Sequence, residues 1–569
     1  MTATEQPASL VDPSGVDVLD VRSMCEAFQN TVARAGDRIA LRTVAGAQEI
    51  TWREYGERVR RIAAGLAAVG VGPGDTVGIM LVNRPEFAMV DTAALHLGAV
   101  PFSIYNTSSP EQVGYLFGNA GNKVVVTERA FLPVVHAADA GLEVVVSVDG
   151  GEATTTLAEL EDGGAADFDF EGAWRAVGPD DLLTLIYTSG TTGPPKGVEL
   201  THGNMLAQLR GVRDVFGEHL DTERGTSYLP SAHIADRWGA HYTPMAGGGT
   251  ITYVADPKQV VAALPEVRPT VWGGVPRIWE KVKAGLEANG ITDPAALPEE
   301  TKAGIRQLLG LDEVRYTVSG AAPIAPEVLE YVAALGIPIC ELWGMSEIAC
   351  CGIINPPDAI RVGTVGKPLA TVETRIAEDG ELLVRGPQLM RGYRNQPELT
   401  AQAIDDDGWF HTGDIVTVDD DGYVTIVDRK KELIISSAGK NMSPSNIEQA
   451  LKVTHPLIGQ AVVIGDRRPY NVALIVLDPD VCAAYAEKAG LPDGTPEALA
   501  DDTGVQAQVA EAVATANARL SRVEQVKRFR ILPTDWLPGG DELTPTMKLK
   551  RRPIAEKYAE LIESLYVDD

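Results

Sequence analysis

Only five cysteines occur in the 569 residues, at 25, 340, 350, 351 and 482, an odd number without metal-ligand spacing. That argues against a disulfide scaffold and for a reducing cytosol. The vicinal pair Cys350 and Cys351 reads as buried packing rather than redox chemistry, since free cysteine behaves as a small core hydrophobe. The eight histidines are scattered and no HExxH occurs, so no zinc site is expected. Positive charge is scarce: 49 Lys and Arg stand against 79 Asp and Glu, a formal net charge of −30. So acidic a chain does not bind nucleic acid or anionic lipid broadly, and any polyanion must be held by local basic patches. Long apolar runs are missing too. Residues 77–100, VGIMLVNRPEFAMVDTAALHLGAV, are interrupted by Arg84, Glu86 and Asp91, so they cannot span a bilayer. Residues 1–20 have neither the basic start nor the apolar centre of a signal peptide and are expected to be disordered.

What is present describes an ordinary enzyme too long for one core, with 45% hydrophobic and 22% charged residues and 57 glycines. From residue 22 to 350, β-rich runs (76–81, 123–127, 143–148, 182–187) alternate with helical patterns such as 55–69, which reads as α/β layers. Residues 363–427 change to short alternating strands with DDDGW (405–409) and DDDGY (419–423) turns, a small β-rich module. An EF-hand is excluded there because its first ligand position would be Thr417. After Asp428 the chain turns basic with RKK, and a boundary is expected there. Within 521–557, nine Lys or Arg against five acids make a net +4, a patch that either meets a nucleotide-like polyanion or is a solvated helical face.

The most informative stretch is YTSGTTGPPKG, residues 187–197. It follows an apolar β-run and precedes a helix that Thr201 can cap near His202, so a strand-to-helix loop is expected. Gly190, Gly193 and Gly197 let backbone N–H groups turn toward a ligand. Thr188, Ser189, Thr191 and Thr192 add hydroxyls, and Lys196 adds charge. Together they read as a polyphosphate cradle. It is no Walker A loop, because Pro195 precedes Lys196 and Gly197 follows it. Further along stand SGAAP (319–323), LWGMSE (342–347), HTGD (411–414), DRKKELI (428–434), AGKNMSPSNIE (438–448) and LTPTMKLKRR (543–552). Taken alone, SGAAP and HTGD read equally as turns. YLPSAHIADRWG (228–239) offers Ser231, His233 and Asp236, a hydrolytic triad only on paper, since neighbours in sequence rarely point at one another. No GxSxG surrounds Ser346 or Ser319, which excludes that serine-hydrolase signature.

These motifs, in this order over residues 30–560, resemble the adenylate-forming superfamily of acyl-CoA synthetases, peptide-synthetase adenylation domains and luciferases. The chain looks most like bacterial long-chain fatty acyl-CoA synthetases. The resemblance implies an α/β fold: a large multi-layer N-terminal domain of β-sheets and helices with a small β-rich module (21–427), and a smaller mobile α+β C-terminal domain (428–569). It implies ATP, coenzyme A and Mg²⁺, with Thr188 and Glu347 as metal ligands. It also places Gly320, Ala321 and Ala322 against adenine, Trp343 stacked on the base, and Asp414 and Arg429 on the ribose. Ser346 would donate to a substrate or α-phosphate oxygen, and His233 would position the substrate carboxylate. Asp428 becomes the interdomain hinge and Gly439 lines the coenzyme A path, one residue further from Asp428 than in many bacterial relatives and more like the eukaryotic-type long-chain synthetases. The family's terminal catalytic lysine falls on Lys548, with Lys550 the competing register because Met547 stands where a glycine is usual.

The implied reaction converts a fatty acid and ATP to acyl-AMP and pyrophosphate, then acyl-AMP and coenzyme A to acyl-CoA. Rival readings are an acyl-AMP ligase loading a carrier protein, a ligase for aryl or short acids, and a non-catalytic nucleotide-binding regulator. A cytoplasmic protein with at most peripheral, transient contact at the inner membrane is expected. Acyl chain length and oligomeric state are not readable from the sequence.

Overall fold

The computed structural model describes residues 17–138, 141–188, 194–217, 223–435, 441–544 and 547–567. Its largest sheet runs Gly392–Tyr393, Lys196–Thr201, Leu182–Thr188, Val100–Ser103, Thr76–Met80, Val124–Thr127, Val144–Ser147 and Thr155–Thr156. From Leu182–Thr188 to Thr155–Thr156 neighbouring strands are parallel, which demands helical crossovers on the faces. The central strand TVGIM is buried at every position, as a strand covered on both sides must be. Helix Trp52–Ala68, packed on helix Pro85–His96, begins with a capping box between Thr51 and Glu54.

A five-stranded sheet pairs Val271–Gly273, Tyr316–Ser319 and Ile339–Trp343 in parallel, then turns antiparallel through Ile353–Ile354 and Lys367–Pro368. A third sheet joins Arg224–Ser227, Thr250–Tyr253, Ile39–Thr43 and Glu49–Thr51. The β-rich stretch up to Arg429 is an antiparallel sheet of Glu373–Ile376, Glu381–Arg385, Phe410–Val418 and Val424–Arg429, and Asp419 to Tyr423 makes the last hairpin turn. After it, Ile458–Ile464, Asn471–Leu477 and Val526–Ile531 form a separate three-stranded sheet. Buried cores divide at the same place. A large cluster ends at Val424, and the clusters on either face of the last sheet begin with Ile434 and Val462.

Among the described residues no helix is long and apolar enough to cross a membrane. Helix Pro85–His96 is buried at every position but Glu86, and its one buried acid, Asp91, is matched by Arg237 at 2.6 Å and His241 at 2.9 Å. Arg237 also donates to Ser103, Tyr242 and the Ser231 carbonyl. Neither Arg237 nor Asp91 has any exposed side-chain surface. Such a pair stabilises weakly as a whole, but removing one partner strands a buried charge. Arg237→Met is therefore expected to lower unfolding free energy by about 3–5 kcal/mol, with much of the loss recovered when Asp91→Leu is added. Urea unfolding followed by tryptophan fluorescence reads both.

Candidate active site

A cleft of about 2450 Å³ runs between the large domain and the C-terminal part, lined by residues of both. Its wall includes Thr188, Lys196, His233, Gly320, Ala321, Ala322, Trp343, Ser346, Glu347, Asp414, Asp428, Arg429 and Lys548. Ser189, Gly190, Thr191, Thr192 and Gly193 lie outside the described residues, as does Gly439.

The glycine-rich loop joins two antiparallel strands rather than a strand and a helix. Lys196–Thr201 pairs back along Leu182–Thr188, with Thr188 opposite Lys196, and Thr201 then caps helix His202–Phe216. The alternation in KGVELT is short, and its last residue, Thr201, is already the helix cap, which hides the strand from a sequence reading. Gly197 does not serve to turn the backbone either. It is a strand residue at which a Cβ would lie 3.0 Å from the Tyr187 ring and 3.1 Å from the Arg394 side chain, so glycine is needed for close packing.

Lys196 carries its ammonium 4.8 Å from the ring centre of Tyr393, whose hydroxyl donates to Glu347 Oε1 at 2.9 Å. The hairpin is thereby linked through one aromatic ring to the carboxylate of LWGMSE. Glu347 sits in a tight turn, Ser346–Ile348, followed by Ala349 and Cys350 with φ of 57° and 110°. Gly344 is obligatory beneath that turn, since a Cβ there would fall 1.5 Å from the Cys350 carbonyl oxygen. All five cysteines are free and buried, and burial pushes the Cys351 thiol up to about 12.

Asp414 is gripped on both oxygens, by the Trp343 indole N–H at 2.8 Å and by Arg429 Nε at 2.8 Å. Burial raises its pKa, and Arg429 pulls the other way. Trp343 thus braces the carboxylate with its edge while its ring lines the cleft. Opposite, Gly320 packs so closely on Leu342 that a Cβ would meet its Cδ1 at 2.8 Å, and Ala321 takes a left-handed φ of 70°. Ala321 and Ala322 are exposed residues on the cleft wall.

His233 Nδ1 accepts from the Ala235 N–H at 3.2 Å, which puts the imidazole proton on Nε2. Burial, with Lys548 nearby, pushes its pKa down to about 4, so the ring is a neutral donor at neutral pH. Contrary to expectation, Ser231 and Asp236 do point at one another, at 3.2 Å. No triad results, because His233 is turned to its own backbone, and Asp236 is held up to about 7 by burial.

Lys548 and Lys550 have different surroundings. The Lys548 backbone is clamped by Thr544 in both directions, at 2.8 and 3.0 Å, and its side chain opens on the cleft. Burial and Arg429 lower its pKa, while Asp414 and Glu347 oppose them. Lys550 instead donates its ammonium to the Gly540 carbonyl at 2.8 Å. Met547 has a φ of 64°, the left-handed region that a glycine would enter at less cost. Asp428 accepts from Ser443 Oγ at 2.6 Å and from the Ser445 N–H and hydroxyl at 3.2 Å each, and Arg551 grips Glu432 and Glu448 beside it.

Three participants were not singled out from sequence: Tyr393, Arg551 and Glu341. Glu341 faces the cleft two residues before Trp343, and burial holds its carboxyl up to about 8. An acid inside the apolar strand ICELW was the available signal. Within the net +4 stretch, Arg552 and Lys557 pair with Glu556 and Glu542, acids already in that count, while Arg551 pairs with Glu432 and Glu448 outside it.

A family model described as AMP-binding enzyme matches residues 28–394, and the AMP-binding enzyme C-terminal domain matches 431–569. The chain belongs to this family of adenylate-forming enzymes. The Mycobacterium tuberculosis protein fadD11 is 50% identical over 453 residues, covering 73% of this chain and 79% of its own. The long-chain-fatty-acid–CoA ligase FadD15 of Mycobacterium bovis is 36% identical over 558 residues, 91% of this chain and 92% of that one. In fold, the adenylation domain of a Mycobacterium chelonae carboxylate reductase superposes with a TM-score of 0.80 at 22% identity, covering 98% of this chain and 93% of that one.

If Lys548 supplies the charge in the cleft, Lys548→Ala will suppress acyl-adenylate formation by about 10² or more, the scale of one lost preorganised contact. Lys550→Ala will cost much less. Because the Lys548 pKa is lowered, its charge disappears as pH rises sooner than that of a free lysine. Lys548→Arg should therefore move the alkaline limb of the rate profile upward. Single-turnover adenylate formation against pH measures all three variants.

Proposed function

We propose that the protein is a long-chain fatty acid–CoA ligase that forms acyl-AMP and then acyl-CoA in one cleft. The observation that carries this reading is the convergence of Lys548, from beyond the hinge, with Lys196, Glu347 and Asp414 of the large domain on one cavity. The same wall continues into apolar surface, with Phe87, Ile104, Leu209, Val212, Phe216 and Trp238. The family membership and the similarity to ligases named for long-chain fatty acids support the substrate class.

In the first step a carboxylate oxygen bonds to the α-phosphorus and the bond to pyrophosphate breaks. Lys196, at the end of the glycine-rich loop, meets the departing phosphates, and Lys548 offsets charge on the transferring group. The neutral His233 orients the carboxylate by donating from Nε2. Asp414 and Arg429 hold the ribose, with Trp343 and the 320–322 backbone around the base. In the second step the thiol sulfur bonds to the acyl carbon and AMP leaves. That step follows rotation of the C-terminal domain about Asp428, which withdraws Lys548.

Thr188 and Glu347 present hard oxygens suited to Mg²⁺. Among the described residues there is no cluster of three acids, Cys or His to cage an ion, so phosphates and water would complete its shell. When bound, the ion supplies neutralisation of phosphate charge.

Pyrophosphate release with acids of graded length, with and without coenzyme A, tests the reading. Activity should rise into the fatty-acid range, since each buried methylene contributes about 0.8 kcal/mol, and acyl-CoA should accumulate. A profile peaking at acetate or benzoate would sink the long-chain assignment.

A further inference from the structure

The C-terminal part touches the large domain through charges at helix ends, on the wall of the same cleft. Helix Pro276–Ala288 carries Arg277 and Lys281 on the large domain. Facing it, helix Pro479–Ala489 begins with Asp478 as its N-cap and Asp480 in its first turn. Arg277 pairs with Asp478, and Lys281 Nζ lies 2.7 Å from Asp480 Oδ2. A third pair, Arg519 with Glu327 at 2.8 Å, joins two other helix ends of the two parts. Building on the ligase reading above, we propose that Arg277 and Lys281, with Asp478 and Asp480, form a releasable latch that positions Lys548 for acyl-adenylate formation.

Both sides of the latch are rigid. Asp478 Oδ1 accepts from the N–H groups of Asp480 and Val481 at 3.1 Å each, which leaves Oδ2 aimed at Arg277. Its side chain is only 8% exposed. Strand Asn471–Leu477 runs directly into Asp478, and its Leu474 and Val476 share a buried cluster with Trp536 and Leu543. Leu543 bridges Leu549 across Lys548, and Thr544 clamps the Lys548 backbone. Fixing Asp478 therefore fixes the base of Lys548. On the other side, helix Pro276–Ala288 is anchored by Trp279, fully buried against Trp272 at a ring separation of 5.0 Å.

The latch is also built to open. Arg277 keeps a second partner, Glu280 at 3.2 Å on its own helix, when Asp478 departs. Asp478 keeps its two backbone donors, and acids at a helix N-terminus are favoured by the helix dipole. Lys281 and Asp480 are 54% and 79% exposed, so water replaces their contact readily. No charge is stranded in the released state. A contact of this kind shifts a two-state equilibrium without locking it, as an enzyme that alternates between half-reactions requires.

The test uses the full-length protein and separates the half-reactions. Arg277→Ala with Lys281→Ala is expected to slow single-turnover acyl-adenylate formation from ATP and a fatty acid by about 5- to 20-fold, as exposed and part-buried ion pairs permit. Thioester formation from supplied acyl-adenylate and coenzyme A should stay at the wild-type rate or rise. Added NaCl should depress wild-type adenylation more steeply than that of the double variant, since exposed pairs are screened. The swap Lys281→Asp with Asp480→Lys should recover adenylation relative to either single change. Wild-type behaviour of the double variant in both half-reactions overturns the latch, and so does an equal fall in both, which marks a merely structural role. A wild-type protein that forms no acyl-adenylate from any acid overturns the ligase reading itself.

Discussion

An ammonium placed on a cleft among fixed charges of both signs sets the terms for the rest of the molecule. Lys548 is disfavoured there by desolvation and by Arg429, and favoured by Asp414, Glu347 and Glu432. The carboxylates do not restore its ordinary basicity, so its pKa stays low. A polyphosphate in the cleft would add the missing negative charge, and loss of pyrophosphate would remove most of it. On this account the electrostatic grip on the C-terminal part is strong before the first reaction and weak after it. That asymmetry gives a physical reason for the domain to close for one step and turn for the next.

The supporting structure fits this demand. Carboxylates that face the cleft are braced before a ligand arrives, Asp414 by Trp343 and Glu347 by Tyr393. The segment bearing Lys548 is tied to the region after Asp428 through Arg551, which grips Glu448 and Glu432. Asp428 itself ends strand Val424–Arg429 of the antiparallel sheet and is bonded through its carboxylate to Ser443 and Ser445, at the start of the next helix.

Much of this was legible in the residues. The α/β alternation, the β-rich module and the motif residues that line one cleft follow from periodicity and resemblance, and Lys548 rather than Lys550 opens on that cleft. What was missed has identifiable causes. The strand Lys196–Thr201 escaped because a capping Thr201 ends it and announces a helix at once. Gly197 was assigned to backbone freedom because a sequence does not show the Tyr187 ring beside it. Contact between Ser231 and Asp236 depends on a tight turn that brings near neighbours face to face. Tyr393 and Arg551 act through partners 46 and 103 residues away, which no local pattern reports.

The central claim is that one cleft serves two arrangements of the C-terminal part, with Lys548 inside in the first and withdrawn in the second. Since the native cysteines are all buried, dyes on Asp37→Cys and Arg467→Cys, both at highly exposed positions, report the domain distance by energy transfer. With ATP and an unreactive acid analogue, one distance should dominate. With a stable acyl-adenylate analogue and coenzyme A, a second distance should become populated and the first should shrink. A single unchanged distance under both conditions, in protein that turns over acyl-CoA, would contradict the account.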